Sequence, residues 1–270
     1  MNPKSDNRLH HVVVFGGGTA GWMSAAALSR FSAGRFGITL VESAEIGIIG
    51  VGEATIPTIH WFNQLVGVDL PELFRATKAT FKLGVEFVDW GRAGEKYFHP
   101  FGRFGAPGDD VPWHHRWARD WLAQGAQPDA RFNVEQYALA AQLARSNRIA
   151  LPKSDPRSPL CMLRYAYHFD ASLYAQYLRQ LSERRGVKRV EGRVVKVERG
   201  ENGDVTALVT ESGTRIEGDL FLDCSGLRAA VIGKELGAGS EDWGNYLPCD
   251  RAVAAPCALT SPPEPFTRST

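Results

Sequence analysis

The chain has 270 residues, 44% of them hydrophobic and 23% charged, with 31 Lys and Arg against 30 Asp and Glu. That balance suits a globular protein with a sizeable core, and it excludes the basic surface that tracks a nucleic-acid backbone. No run of about eighteen apolar residues suggests a membrane span and the opening MNPKSDNRLHH carries no apolar leader, so the expectation is a cytoplasmic protein without a membrane partner. Cys161, Cys224, Cys249 and Cys257 are too scattered to form a ligand pattern; they read as reduced, structural thiols, and no metal site is expected.

In chain order, residues 11–15 (HVVVF) form a short apolar strand that ends in glycines, and residues 20–31 follow with a helical pattern. Residues 38–42 (ITLVE) are a second β-branched strand. The run Val12, Val13, Val14 shows no alternation, as expected for a parallel strand covered on both faces. Residues 46–57 (IGIIGVGEATIP) are too rich in glycine for an element interior and read as an ordered functional loop. Residues 81–90 alternate, with Phe81, Leu83, Val85 and Phe87 predicted to face the core and Lys82, Gly84 and Glu86 to face away.

Helices are predicted over 113–122, where Trp113, Trp117 and Trp121 make one stripe, and over 133–145. A third covers 170–185, with Asp170 as its cap and Gly186 beyond its end. Strands at 194–198 and 205–210 flank Asn202-Gly203, a hairpin turn. Residues 219–224 (DLFLDC) are a last buried strand before a short helix from Arg228. The segment 261–270 (SPPEPFTRST), proline-rich and polar, should pack neither as a helix nor as a central strand.

The strongest local signal is GxGxxG at Gly16, Gly18 and Gly21, between a strand and a helix. The first glycine permits the turn, the second admits a pyrophosphate, and the third lets the helix close on the sheet. The amides and dipole at the helix start favour phosphate charge, and Glu42, at the end of the second strand, can accept hydrogen bonds from ribose hydroxyls. These residues support an adenine dinucleotide and leave NAD or FAD open.

Six blocks, the glycine loop among them, occur in a characteristic order. GGGTAGW (residues 16–22), GVGEATIP (50–57), FKLGVEFVDW (81–90), YFHPFG (97–102), YHFDASLYAQYL (167–178) and DLFLDCSG (219–226) resemble those of flavin-dependent tryptophan halogenases. LPCDRAVA (247–254) resembles the block before that family's WxWxIP signature, which occurs nowhere in the chain. The resemblance runs from His11 to about Cys257. It implies an α/β, Rossmann-like FAD-binding domain of the two-dinucleotide-binding, flavoprotein monooxygenase-like type, with added helices and a β-hairpin, incomplete at the C-terminus. In that reading the FAD-binding halogenase domain covers 1–257, with substrate-side insertions at about 90–165, and 258–270 form an irregular tail.

The resemblance also implies chemistry. FAD, supplied as FADH2 by a separate flavin reductase, reacts with O2 to a hydroperoxide that oxidises halide to hypohalous acid. A lysine then carries the halogen to an aromatic small-molecule substrate of the indole or tryptophan type. The motif match assigns that lysine to Lys82. It adds Thr19, Ala20, Val51, Glu53, Ala54 and Val194 to Gly16, Gly18, Gly21 and Glu42 as cofactor contacts, and places His99 and Phe101 at the substrate. The family's catalytic glutamate falls in the unmatched half, and no residue here is assigned to it.

Taken alone, the residues allow other readings. Lys82 beside Glu86 on one strand face also fits a solvated charge pair. His99 also fits a core histidine, the Gly50 to Pro57 stretch a rigid linker, and the tryptophan stripe helix packing rather than a substrate cage. At the level of function, an FAD monooxygenase would share the fold without needing Lys82, and a flavin-binding remnant would have no activity.

Overall fold

The computed structural model describes residues 8–46, 52–105, 111–126, 132–255, 257–258 and 262–270, without the side chains of Gly52 and Glu53. In chain order the elements are β1 (His11–Phe15), α1 (Thr19–Ser32), β2 (Gly37–Glu42), β3 (Gly52–Ala54), α2 (Thr58–Leu65), α3 (Leu70–Thr77), β4 (Thr80–Lys82), β5 (Gly84–Val88), β6 (Lys96–Pro100), α4 (Trp113–Ala123), α5 (Leu139–Arg145), β7 (Ala166–Asp170), α6 (Ala171–Glu183), β8 (Lys188–Glu191), β9 (Val194–Arg199), β10 (Val205–Thr210), β11 (Arg215–Glu217), β12 (Leu220–Asp223) and β13 (Thr267–Ser269). They fall into two compact units. One comprises residues 1–53, 65–78 and 170–256, the other residues 54–64, 79–169 and 257–270. A partition into one domain over 1–257 is therefore coarser than the packing.

In the first unit, β1 pairs in parallel with both β12 and β2, and β2 pairs in parallel with β8, giving the order β12-β1-β2-β8. Val12, Val13 and Val14 are fully buried, as their lack of alternation predicts. Asp170 caps α6 by accepting from the amides of Ser172 and Leu173. The hairpin β9–β10 turns through Gly203 at φ 88°, and β11 completes an antiparallel sheet whose Leu208 and Ile216 join Val13 and Val41 in one core cluster. The short helix near Arg228 is a π-helical turn over Ala230–Glu235. Its first amides are held by Asp223, which accepts from Val231 N at 2.8 Å and Ile232 N at 2.9 Å.

The second unit holds two small sheets. β4 pairs antiparallel with β7, while β5 lies between antiparallel β6 and parallel β13. The single strand predicted over 81–90 is thus two, broken at Leu83. There the backbone amide donates to Pro265 O and the carbonyl accepts from Phe101 N, each at 2.7 Å. The predicted helix over 133–145 is likewise interrupted: a 3-10 turn (Val134–Tyr137) precedes α5, and Ala138 between them has an extended backbone (φ −114°, ψ 111°). The stretch read as an irregular tail carries β13 at a sheet edge, and Phe266 beside it is buried against Phe98. Proline here only shortens the strand, because an edge position tolerates missing donors on one side.

Candidate active site

The dinucleotide loop of the first unit is defined by what its glycines admit. Gly16 has φ 115°, and a Cβ there would stand 2.3 Å from Cys224 O. One on Gly21 would stand 1.8 Å from Gly16 O. Any larger residue at either position would collide with backbone, so the loop, the start of α1 and the segment after β12 close only as glycine permits. Around Gly18 nothing lies within 4 Å of an added Cβ. Gly18 is also the N-cap of α1 without a side-chain capping bond, and the first turn, which starts at Thr19 and Ala20, contains no acidic residue. An open approach to uncapped helix amides is what a pyrophosphate requires, so these residues fit a dinucleotide.

Glu42 closes one side of the loop. Its carboxylate accepts from Arg189 Nε and, at 3.4 Å, from Trp22 Nε1, with Arg179 at 3.9 Å. A carboxylate has about four lone-pair directions, so these partners orient it and leave capacity for a ribose. Gly17 was not singled out from the sequence, yet a Cβ there would overlap the Glu42 carboxylate at 1.4 Å. The run of three glycines was its signal: the spacing motif explains two of them, and Glu42 explains the third. Val194, at the start of β9, packs partly buried against the Val13, Val41 and Leu208 cluster. Val51 lies outside the described residues, as does the Glu53 side chain; Ala54 is exposed.

In the second unit, Lys82 is 4% exposed, and it lies on the face the alternation assigned to solvent. Lys82, Gly84 and Glu86 are all buried while Phe81, Val85 and Phe87 are only half-buried, so the predicted inside and outside are reversed except at Leu83, which is fully buried as expected. The reversal has two causes. A Cβ on Gly84 would stand 2.4 Å from His99 O and 2.6 Å from the Phe98 ring, so glycine lets β6 close over that face. Glu86 is neutralised where it is buried, by Arg145 and, at 2.6 Å, by Arg268. Burial pushes the Glu86 carboxyl up, but the hydrogen bonds from Arg268 and Arg145 outweigh it and hold the group below the ordinary glutamate value.

Glu86 is therefore committed elsewhere, and the solvated Lys82–Glu86 pair does not exist. Among the described residues no carboxylate pairs with Lys82. Its Nζ stands over the Phe101 ring, 5.4 Å from the centroid, and burial lowers its pKa from the ordinary lysine value. Without a carboxylate to stabilise the ammonium, burial favours the free amine, the form that attacks an electrophile.

Phe101 is placed beside Lys82 by the bond from its amide to Leu83 O. His99 is exposed, opposite Val85 in the β5–β6 pair, so the core-histidine reading fails. The tryptophan stripe of α4 packs on itself and on Tyr137, with Trp117 and Trp121 stacked at 5.6 Å and Trp113 at 4.8 Å from the Tyr137 ring.

Two histidines escaped the sequence reading. His60 holds residues 54–64 to β7, its Nε2 donating to Tyr165 O at 2.7 Å and its Nδ1 accepting from Tyr167 OH at 2.8 Å. Thr55 reinforces this by exchanging bonds with the backbone of Tyr167, each 2.9 Å. His168, on the Lys82 side of β7, stood in the block YHFDASLYAQYL without an assigned role.

The tryptophan halogenase family matches residues 11–270, nearly the whole chain. The chain belongs to the tryptophan halogenase family. Among its relatives, tryptophan 6-halogenase SttH of Streptomyces toxytricini is 35% identical over 292 aligned residues, covering 100% of this chain and 54% of that protein. Tryptophan 7-halogenase RebH of Lentzea aerocolonigenes is 34% identical, covering 92% and 48%. The solved structure of BrvH, a flavin-dependent halogenase from Brevundimonas sp. BAL3, superposes with a TM-score of 0.85 at 42% identity, over 97% of this chain and 52% of that one. The chain thus spans about half the length of the halogenases it matches. No helix among the described residues is long and apolar enough to cross a membrane.

Proposed function

We propose that this chain carries the FAD-binding loop and the halogen-bearing lysine of a cytoplasmic flavin-dependent halogenase acting on tryptophan or a related indole. The observation that supports this most is Lys82: an amine 4% exposed, with no carboxylate partner among the described residues, in a chain of the halogenase family. When bound, FAD reduced by a separate reductase would supply, with O2, the oxidising equivalent that turns halide into hypohalous acid. Gly16, Gly18 and Gly21, with the first-turn amides at Thr19 and Ala20, would hold the pyrophosphate, and Glu42 would receive the ribose. Val51, Glu53, Ala54 and Val194 complete the cofactor contacts.

Lys82 then works as a nucleophile. Its free amine attacks the halogen of hypohalous acid, an N–halogen bond forms as the O–halogen bond breaks, and the amine proton leaves with the hydroxide as water. The halogen passes as a cation equivalent to an indole carbon, the ring loses its proton to a base, and the amine recovers its own proton. Phe101 forms a wall beside the amine, and His99 and Phe101 present ring faces to the aromatic substrate.

The test supplies the purified protein with reduced FAD, O2, bromide and tryptophan or indole, and resolves the products by mass. A brominated indole ring is the expected product. A hydroxylated ring without bromine would overturn the reading in favour of oxygen insertion.

A further inference from the structure

We infer that His168 is a positioning residue for Lys82: its imidazole ties β7, the pairing partner of the lysine strand, to β13 and forms the wall that keeps water from the amine. The inference rests on the role proposed for Lys82, and its argument begins in the strand register. Thr80 lies opposite His168 and Lys82 opposite Ala166. Residues opposite each other in an antiparallel pair share a face, as do residues two apart, so Lys82 and His168 are diagonal neighbours on one face. Such neighbours are separated by about 7–8 Å at the backbone, within reach of long side chains. Directly across from Lys82 stands only the methyl group of fully buried Ala166, which leaves the space to the lysine and the imidazole.

The ring of His168 is held at its edges. The backbone of Phe81, the residue immediately before Lys82, lies close enough to the ring to raise its pKa, against the larger lowering effect of burial. Its Nε2 stands 2.9 Å from Thr267 Oγ1 on β13. One side chain thereby ties β7, the pairing partner of the lysine strand, to β13. Burial foremost, and then the nearby charge of Lys82, push the His168 pKa down to about 4, so the ring is neutral at pH 7.

Lys82 is the charged group that acts on His168. Arg268, next to Thr267, is committed to Glu86 and Glu264. A neutral ring beside the amine adds no charge of its own: it fills volume and holds β7 to β13. Removing it should open a polar space large enough for water beside Lys82, and hydration restores the ammonium.

The test reads the protonation of Lys82 rather than halogenation, so it stands or falls separately from the catalytic reading. The full chain is labelled with a trace of an amine-acylating reagent across a pH series, and the acylated Lys82 peptide is quantified by mass spectrometry. In His168→Ala the Lys82 midpoint should rise by about one pH unit, leaving about tenfold less free amine at neutral pH. His168→Gln retains an N–H donor and an acceptor at similar size and should stay near the wild-type curve. Should His168→Ala fail to fold, Thr267→Val, which deletes only the hydroxyl, should move the midpoint in the same direction by a smaller amount. A folded His168→Ala protein with a wild-type Lys82 curve, a Gln variant shifted as far as the Ala variant, or an unmoved midpoint in Thr267→Val would each overturn the proposal.

Discussion

The phosphate loop and the lysine strand reach their chemistry by opposite routes. In the loop no side chain is required of Gly16, Gly18 or Gly21; the proposed function rests on backbone amides and on the absence of atoms around Gly18, where a ligand would come. In the strand the proposed function rests on one long side chain, placed where its charge is least welcome. A loop of the first kind is built by exclusion and tolerates little. A site of the second kind is built by compensation: Glu86 draws two arginines, and Lys82 is left with an aromatic ring and a neutral imidazole as neighbours.

The largest expected effect separates the two regions by function. Lys82→Ala should lower halogenated product per flavin oxidised by at least about a hundredfold, the scale lost with a group that acts on reacting atoms, while flavin oxidation continues. Product and flavin turnover measured in one reaction mixture check this. A parallel loss of both would erase the contrast between loop and lysine.

Within the loop, two glycines should part company. Gly21→Ala forces a Cβ to 1.8 Å from Gly16 O and should cost about 3 kcal/mol or more of stability, read from the urea midpoint. Gly18→Ala meets nothing within 4 Å and should fold normally, yet bind FAD about tenfold more weakly, or about 1.4 kcal/mol, by flavin fluorescence titration. Equal stability losses in the two variants would contradict the division into closing and receiving glycines.

Acid should expose the second region. The folded-state pKa of His168, pushed down to about 4, lies below its ordinary 6.5. Between those values the unfolded chain binds the extra proton, so stability falls as pH drops through that window, by up to about 3 kcal/mol. In His168→Gln that part of the acid sensitivity should vanish, which urea midpoints at pH 7 and pH 4 would show. Glu86→Gln should cost less stability than the acid window of His168, about 2 kcal/mol, because Arg145 and Arg268 are 36% and 50% exposed and recover water when the charge is removed. Its urea midpoint at pH 7 provides the check.

The contrast also explains what could be read from the chain beforehand. GxGxxG, the unbroken Val12 to Val14 run, the Asp170 cap and the Asn202-Gly203 turn each depend on neighbours within a few residues, and each is found as expected. What escaped depends on distant partners. Leu83 breaks its strand because Pro265 and Phe101 bond to it. The buried face of 82–86 is the polar one because Arg145 and Arg268, far along the chain, neutralise Glu86. Phe266 and β13 are ordered by Phe98 and β5, against the composition of their own segment. Lys82 itself came from the resemblance; its alternation pointed to solvent.

The most direct measurement is the titration of Lys82 in the unmodified chain, by trace acylation and peptide mass spectrometry against a model lysine peptide in the same tubes. The account predicts a midpoint below that of the model peptide, whose ordinary value is 10.5, with half-labelling reached at lower pH because burial disfavours the ammonium. A Lys82 midpoint at or above that of the model peptide would mean a solvated or ion-paired ammonium, and would contradict the claim that burial shifts Lys82 toward the free amine.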